Sequence, residues 1–190
     1  MTATTLKVDL ALVHYPVNNK NRETIISAVT NLDLHDMARA GRTFGVDNLF
    51  IVTPNSEQHK LVGEILDHWS TGHGGKVNPD RKEALSIISI KDDLAGVYEA
   101  ATKKWGERPK VLATGARFQG EGVQSYELVR EQIFAGQPVL ILFGTAWGLA
   151  PEVMEMVDGF LPPISGQMEY NHLSVRSAAS IILDRLLGKR

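Results

Sequence analysis

Five short apolar runs, each followed by a stretch with helical spacing, constrain this chain more than any other feature. They are Lys7–Val13, Asn48–Thr53, Leu85–Ile90, Lys110–Thr114 and Pro138–Phe143. A strand this apolar has to be covered on both faces, which parallel sheets achieve with crossover helices. The intervening helices are read from their apolar positions. Leu34, Met37, Ala38 and Phe44 follow Asp33 as N-cap, with Gly45 as stop; Leu61, Ile65, Leu66 and Trp69 follow Ser56. Further helices run from Asp92 to Trp105, over Gln124–Ala135 with Ser125 as cap, over Pro151–Val157, and over Ser174–Leu187. Thr24–Thr30 fits either a strand or a helix start, and Thr71–Asp80 reads as a glycine-rich loop. The expectation is one α/β domain over residues 1–190, with a parallel sheet covered by helices on both faces. Ligands of such sheets sit at the carboxyl ends of the strands, here after Val13, Thr53, Thr114 and Phe143.

Composition narrows the function classes. With 43 % apolar residues the chain can bury a core, yet no apolar run reaches the roughly 18 residues of a membrane span. Met1–Lys7 lacks the layout of a signal peptide, and the absence of cysteine excludes disulfides and thiolate metal sites. The reading is a cytoplasmic protein without membrane partner. A net charge of −2 means that nucleic-acid binding would need a local basic patch, or two patches meeting across a dimer.

Familiar nucleotide and metal motifs are missing. Gly115, Gly120 and Gly122 do not have G-x-G-x-x-G spacing, and Gly72–Lys76 lacks both the spacer and the hydroxyl residue of a P-loop. There is no H-E-x-x-H, His68 and His73 are too loosely spaced for ligands, and His59 reads as a solvated helix residue, so no metal is expected. A G-x-S-x-G elbow is absent as well.

Three segments stand out. In Asn31–Gly45, His35 and Arg39 lie four residues apart on one helix face, and Asp36 and Arg39 are spaced to pair. In Val139–Glu152, the most apolar strand breaks into Gly144-Thr-Ala-Trp-Gly148, a glycine-bounded loop whose backbone can approach a ligand closely, and Pro151 suits the first turn of a helix. In Phe160–Ile181, a short apolar piece leads through Tyr170-Asn171-His172 to a helix N-terminus, where polar groups can engage a ligand.

Together these segments resemble the motifs of the SPOUT (SpoU–TrmD, α/β-knot) superfamily of RNA methyltransferases. Leu142-Phe143-Gly144 through Gly148-Leu149, with Ile164 and Leu173-Ser174-Val175, is similar to motifs 2 and 3, and Asn31 to Arg39 is similar to motif 1. The resemblance covers most of the chain, in the expected order, and points toward the small bacterial subfamily sometimes fused to tRNA (guanine-N1)-methyltransferase. It implies a C-terminal deep trefoil knot, S-adenosylmethionine as cofactor, RNA (tRNA) as substrate, and a homodimer. By position the cofactor would be held by Thr114, Gly115 and Ala116, by Phe143, Gly144, Thr145 and Gly148, and by Ile164, Gly166, Leu173 and Ser174.

The catalytic set implied is Arg39, His35 and Asn171, with Arg39 positioning the acceptor or stabilising charge as its proton leaves. RNA contacts would come from Lys20, Arg22, Arg39, Arg42, Arg117 and Arg176. The gap from Asn31 to Arg39 is wider than the motif 1 spacing, and the motif 3 asparagine matches either Asn171 or His172. The acceptor, ribose 2′-hydroxyl or base nitrogen, stays open. From another class, the alternative is a non-catalytic α/β module that binds RNA or a nucleotide.

Overall fold

The computed structural model describes residues 6–118 and 120–190. In chain order the elements are β1 (Val8–Val13), β2 (Val17–Asn18), β3 (Thr24–Ile25), α1 (Asn31–Thr43), β4 (Asn48–Val52), α2 (Ser56–Ser70), α3 (His73–Val77) and α4 (Pro79–Leu85). They continue with β5 (Ile88–Lys91), α5 (Leu94–Trp105), β6 (Lys110–Ala113), α6 (Tyr126–Phe134), β7 (Val139–Gly144), α7 (Pro151–Met154), β8 (Gly159–Phe160) and α8 (Val175–Leu187). Six strands form one sheet in the order β5-β4-β1-β7-β6-β8, and every pair is parallel. β2 and β3 make a separate antiparallel pair.

The strand order has a functional consequence. The chain winds outward from β1 through β4 to β5, then returns on the other side as β6, β7 and β8. The winding therefore reverses between β1 and β7, and the crevice at the carboxyl ends of two such strands is where open α/β sheets hold ligands. β1 and β7 are in register from Val8↔Val139 to Val13↔Gly144, so both strands end at the same level.

Both faces of the sheet are covered, as the apolar runs require. Leu10, Leu12 and Ile141 pack on one face with Leu34 and Met37 of α1, Val62 of α2, Val129 of α6 and Leu183 of α8. On the other, Phe50, Val52 and Leu142 pack with Val97 and Ala101 of α5 and Val153 of α7. At the amino-terminal edge of the sheet, buried Asp9 is paired with Lys104 at 2.5 Å and accepts from the Trp105 indole at 2.7 Å. Burial pushes the Asp9 carboxyl up, while the hydrogen bond and charge of Lys104 oppose that rise. Among the described residues no helix is long and apolar enough to cross a membrane.

Several local expectations need correcting. The N-cap of α1 is Thr30, not Asp33: its hydroxyl accepts from the Asp33 N–H at 3.2 Å and donates to the Asp33 carboxylate at 2.6 Å. Asn55 rather than Ser56 caps α2, and α5 begins at Leu94, after its cap Asp93, rather than at Asp92. Thr24–Ile25 pairs with Val17–Asn18 as a strand, and residues 26–30 form no regular element.

The glycine-rich stretch is not a free loop. It folds into α3 and the start of α4, where a side chain at Gly75 would collide with the Trp69 carbonyl and only glycine lets the backbone pack. His59 is not simply solvated: its Nε2 lies 2.6 Å from the Thr53 carbonyl and 3.4 Å from Asp92.

Candidate active site

β7, β6 and β8 are sheet neighbours and all run in one direction. The residues that follow them, Phe143–Gly148, Thr114–Ala116 and Ile164–Gly166, therefore leave one edge of the sheet side by side. Each loop is tied down in a way its sequence explains. Thr114 donates both its N–H and its hydroxyl to the Leu142 carbonyl, each at 3.0 Å, carrying the ladder one residue beyond β6.

Gly144 has no room for a side chain, since a Cβ would meet the Leu149 nitrogen at 2.6 Å, and a Cβ on Gly115 would meet the Phe118 ring at 2.7 Å. The loop after β7 turns through Ala146 at φ 50° and Gly148 at φ 103°. The first is a left-handed conformation costly for a residue with a side chain.

The third loop is tied to the loop after β6. Asn171 Nδ2 donates to the Ala116 carbonyl at 3.1 Å. Ser174 caps α8, accepting from the Ser177 N–H at 3.2 Å. Ile164 packs against the core, Leu173 is exposed, and Gly166 would have open space around a Cβ.

Arg39 and His35 stand on α1 and line one groove of about 570 Å³, together with Asp36, Trp69 and Arg81. Trp69 forms the wall, with the His35 ring edge-on at 5.5 Å and the Arg81 guanidinium 4.9 Å over its face. Burial, with help from the Arg81 charge, lowers the His35 pKa and so favours the neutral imidazole. Arg39 and Asp36 also line a second groove of about 390 Å³ facing Arg176, Ser177 and Ser180 of α8.

The three catalytic candidates thus do not stand as one group. Arg39 and His35 share a groove wall, whereas Asn171 is engaged at the loop after β6. The anticipated pairing of Asp36 with Arg39 gives way to one with Arg176, at 3.5 Å. Of the six basic candidates for RNA contact, Arg42 is paired with Glu83 and Arg176 with Asp33 and Asp36, while Lys20, Arg22 and Arg117 are exposed. Among the described residues no group of three metal-ligating side chains comes together.

One set of residues escaped the sequence reading. His14, directly after β1, is fully buried, and its Nδ1 lies 3.0 Å from the Ser27 hydroxyl, which in turn lies 2.5 Å from the Thr145 hydroxyl. Burial lowers its pKa to about 4, against the opposing effects of the Asp33 carboxylate and the Ala28 backbone. The available signal was a histidine closing an apolar strand; Ser27, in a stretch without clear periodicity, carried none.

Comparison with known proteins gives this geometry a family. Residues 7–188 match the family described as SAM-dependent RNA methyltransferase. A tRNA (guanine-N(1)-)-methyltransferase of Oleidesulfovibrio alaskensis is 48 % identical over 181 residues, covering 94 % of this chain and 41 % of that protein. Its counterpart in Nitratidesulfovibrio vulgaris is 44 % identical over 178 residues, with the same coverage of 94 % and 41 %. The chain thus spans about two-fifths of the length of these relatives. An uncharacterised protein of Aquifex aeolicus is 37 % identical over 183 residues, covering 96 % of this chain and 89 % of that one.

Among solved structures, the SpoU methyltransferase AviRb of Streptomyces viridochromogenes in complex with AdoMet shares the fold at a TM-score of 0.58 and 15 % identity, covering 97 % of this chain and 58 % of that one. TrmJ of Z. mobilis does so at 0.59 and 18 %, covering 93 % and 67 %. The parallel sheet, its order and the sequence match agree: the chain belongs to the SAM-dependent RNA methyltransferase family, with a SpoU-like fold.

Proposed function

We propose that this chain is a methyltransferase domain that uses S-adenosylmethionine to methylate tRNA. The observation that carries the reading is the side-by-side exit of three loops from β7, β6 and β8, with Gly144 packed so closely on the Leu149 backbone that no side chain fits and Gly115 against the Phe118 ring. That cradle suits a cofactor held largely through backbone groups. Thr114–Ala116, Phe143–Gly148, Ile164, Gly166, Leu173 and Ser174 would hold it, and when bound it supplies an electrophilic methyl group. The tRNA assignment follows the names of the two desulfovibrio relatives.

The chain's own residues supply position and charge. Arg39, exposed on α1 between the two grooves, would orient the acceptor nucleotide and stabilise charge as the acceptor loses its proton. His35 beside it, in its favoured neutral form, can accept or donate a hydrogen bond without adding charge. Asn171 would hold the third loop against Ala116.

The reading includes the trefoil knot and the homodimer. Support for the knot comes from β8, which pairs with β6 on one side while Phe160 exchanges hydrogen bonds with Gly122 and Gln124 on the other, each at 2.9 Å. Support for a homodimer comes from the exposed apolar side chains Leu32, Trp147, Met168, Tyr170 and Leu173 beside the proposed site. A second copy would also add its basic residues to those of a chain with net charge −2.

The test is transfer of labelled methyl from S-adenosylmethionine to unmodified tRNA. Arg39→Ala should lower kcat at least about 100-fold with cofactor affinity unchanged, as expected for a group acting mainly in the transition state. No incorporation into any tRNA by a cofactor-binding protein would contradict the proposed activity.

A further inference from the structure

We propose that His14 and Ser27 are positioning residues that set the loop after β7 through Thr145; the inference rests on the reading that this loop holds S-adenosylmethionine. The segment between β1 and α1 is docked along that loop. Asn18 donates its N–H to the Gly148 carbonyl at 2.9 Å and accepts the Trp147 N–H at 3.0 Å, and the Ala150 N–H reaches the Pro16 carbonyl at 3.2 Å. Asn18 Nδ2 adds a bond to the Leu149 carbonyl at 3.1 Å. The backbone of the loop is thereby held from one side. Its first residue, Thr145, is held from the other, at the level where the β1–β7 ladder has just ended at Val13↔Gly144.

One assignment of donors joins that second set into a single chain. Val13 offers only a carbonyl, so the Thr145 hydroxyl donates to it, at 2.9 Å. With its hydrogen spent, Thr145 can only accept, so the Ser27 hydroxyl donates to it across 2.5 Å. That contact claims the single hydrogen of Ser27 in preference to the 3.4 Å approach to the His14 carbonyl, which already accepts the Ser27 N–H at 2.8 Å. In this assignment Ser27 accepts from His14, which places the ring proton on Nδ1. The chain of donation runs from His14 through Ser27 and Thr145 to the end of β1.

Packing alone does not explain a histidine here. Nε2 of His14 is buried and makes no full hydrogen bond among the described residues, which is unfavourable, the Ala28 backbone only partly favouring a proton on the ring. An apolar ring would fill the space without that cost. What the imidazole adds is one N–H aimed at Ser27, at the crevice where the winding of the sheet reverses.

Two measurements test this. Nitrogen-15 spectra of the whole protein at neutral pH should show the His14 ring protonated on Nδ1, opposite to the form that free histidine prefers; protonation on Nε2 would overturn the relay. Calorimetry with S-adenosylmethionine on Ser27→Ala and Thr145→Val should show each binding about five- to tenfold more weakly, as for one lost buried hydrogen bond. The double variant should be no weaker than the worse single one, because both break the same chain. Ser27→Thr, which keeps the hydroxyl, should restore affinity, and thermal melting of each variant separates a loosened loop from a failed fold. Wild-type affinity in Ser27→Ala, or multiplicative losses in the double variant, would overturn the proposal while leaving the cofactor reading intact. Absence of binding by the wild-type chain would overturn both.

Discussion

The guanidinium of Arg176, in the first turn of α8, lies 3.4 Å from the Asp33 carboxylate and 3.5 Å from that of Asp36, both on α1. The pair of contacts joins motif 3 to motif 1 across the groove that Arg39 lines. It also occupies a charge that the family resemblance offered to RNA. Partly exposed ion pairs contribute little to stability, so Arg176→Ala should cost no more than about 1 kcal/mol in urea unfolding. Exposed Lys20 and Arg22 are free to meet phosphates. Removing either should reduce the slope of log affinity for RNA against log salt by about 0.7 to 0.9, a change that Arg176→Ala should not reproduce. Equal slopes in all three variants would contradict this division of labour.

Burial of His14 makes stability depend on pH. Its folded pKa of about 4 lies below the ordinary value of 6.5. As pH falls through 6.5 the unfolded chain takes up a proton and the native one does not, so stability is full above that value and is lost down to about pH 4. The loss should reach about 2 kcal/mol at pH 5, measured by urea unfolding against a reference near pH 7.5. His35, also lowered, acts in the same direction. His14→Phe should remove most of this dependence, and an unchanged profile in that variant would refute the assignment.

Two glycines should answer to alanine with opposite signs. Gly63, inside α2, has open space where a Cβ would go, so Gly63→Ala should stabilise by about 0.5 to 1 kcal/mol. At Gly75 the Cβ would collide with the Trp69 carbonyl, and Gly75→Ala should destabilise by about 1 to 3 kcal/mol. Thermal melts of the two variants check both.

The architecture was legible because burial on both faces writes itself as apolar runs, and each of the five runs supplied a strand of one parallel sheet, although Leu85 ends α4 and the third strand begins only at Ile88. Boundaries shifted where capping decided them: Thr30 outcompeted Asp33 because only its position leaves the hydroxyl outside the helix while reaching the Asp33 N–H. α3 was unreadable because its glycines serve contact with Trp69, a relation between segments rather than a local preference. The loops after β6 and β7 could be found from glycine, proline and apolar neighbours. The His14–Ser27–Thr145 chain could not, since its hydroxyl members are separated by 118 positions and meet only once β1 and β7 lie side by side.

The central claim, that the loops beyond β6, β7 and β8 hold S-adenosylmethionine, is tested most directly by calorimetric titration of the purified chain, with ATP and NAD as controls. The account predicts selective binding of S-adenosylmethionine and its demethylated product. It also predicts a loss of more than about tenfold in Gly144→Val, whose side chain would displace the Leu149 nitrogen now 2.6 Å from the Cβ position. A folded wild-type protein that binds neither compound, or a folded Gly144→Val that binds as well as wild type, would contradict it.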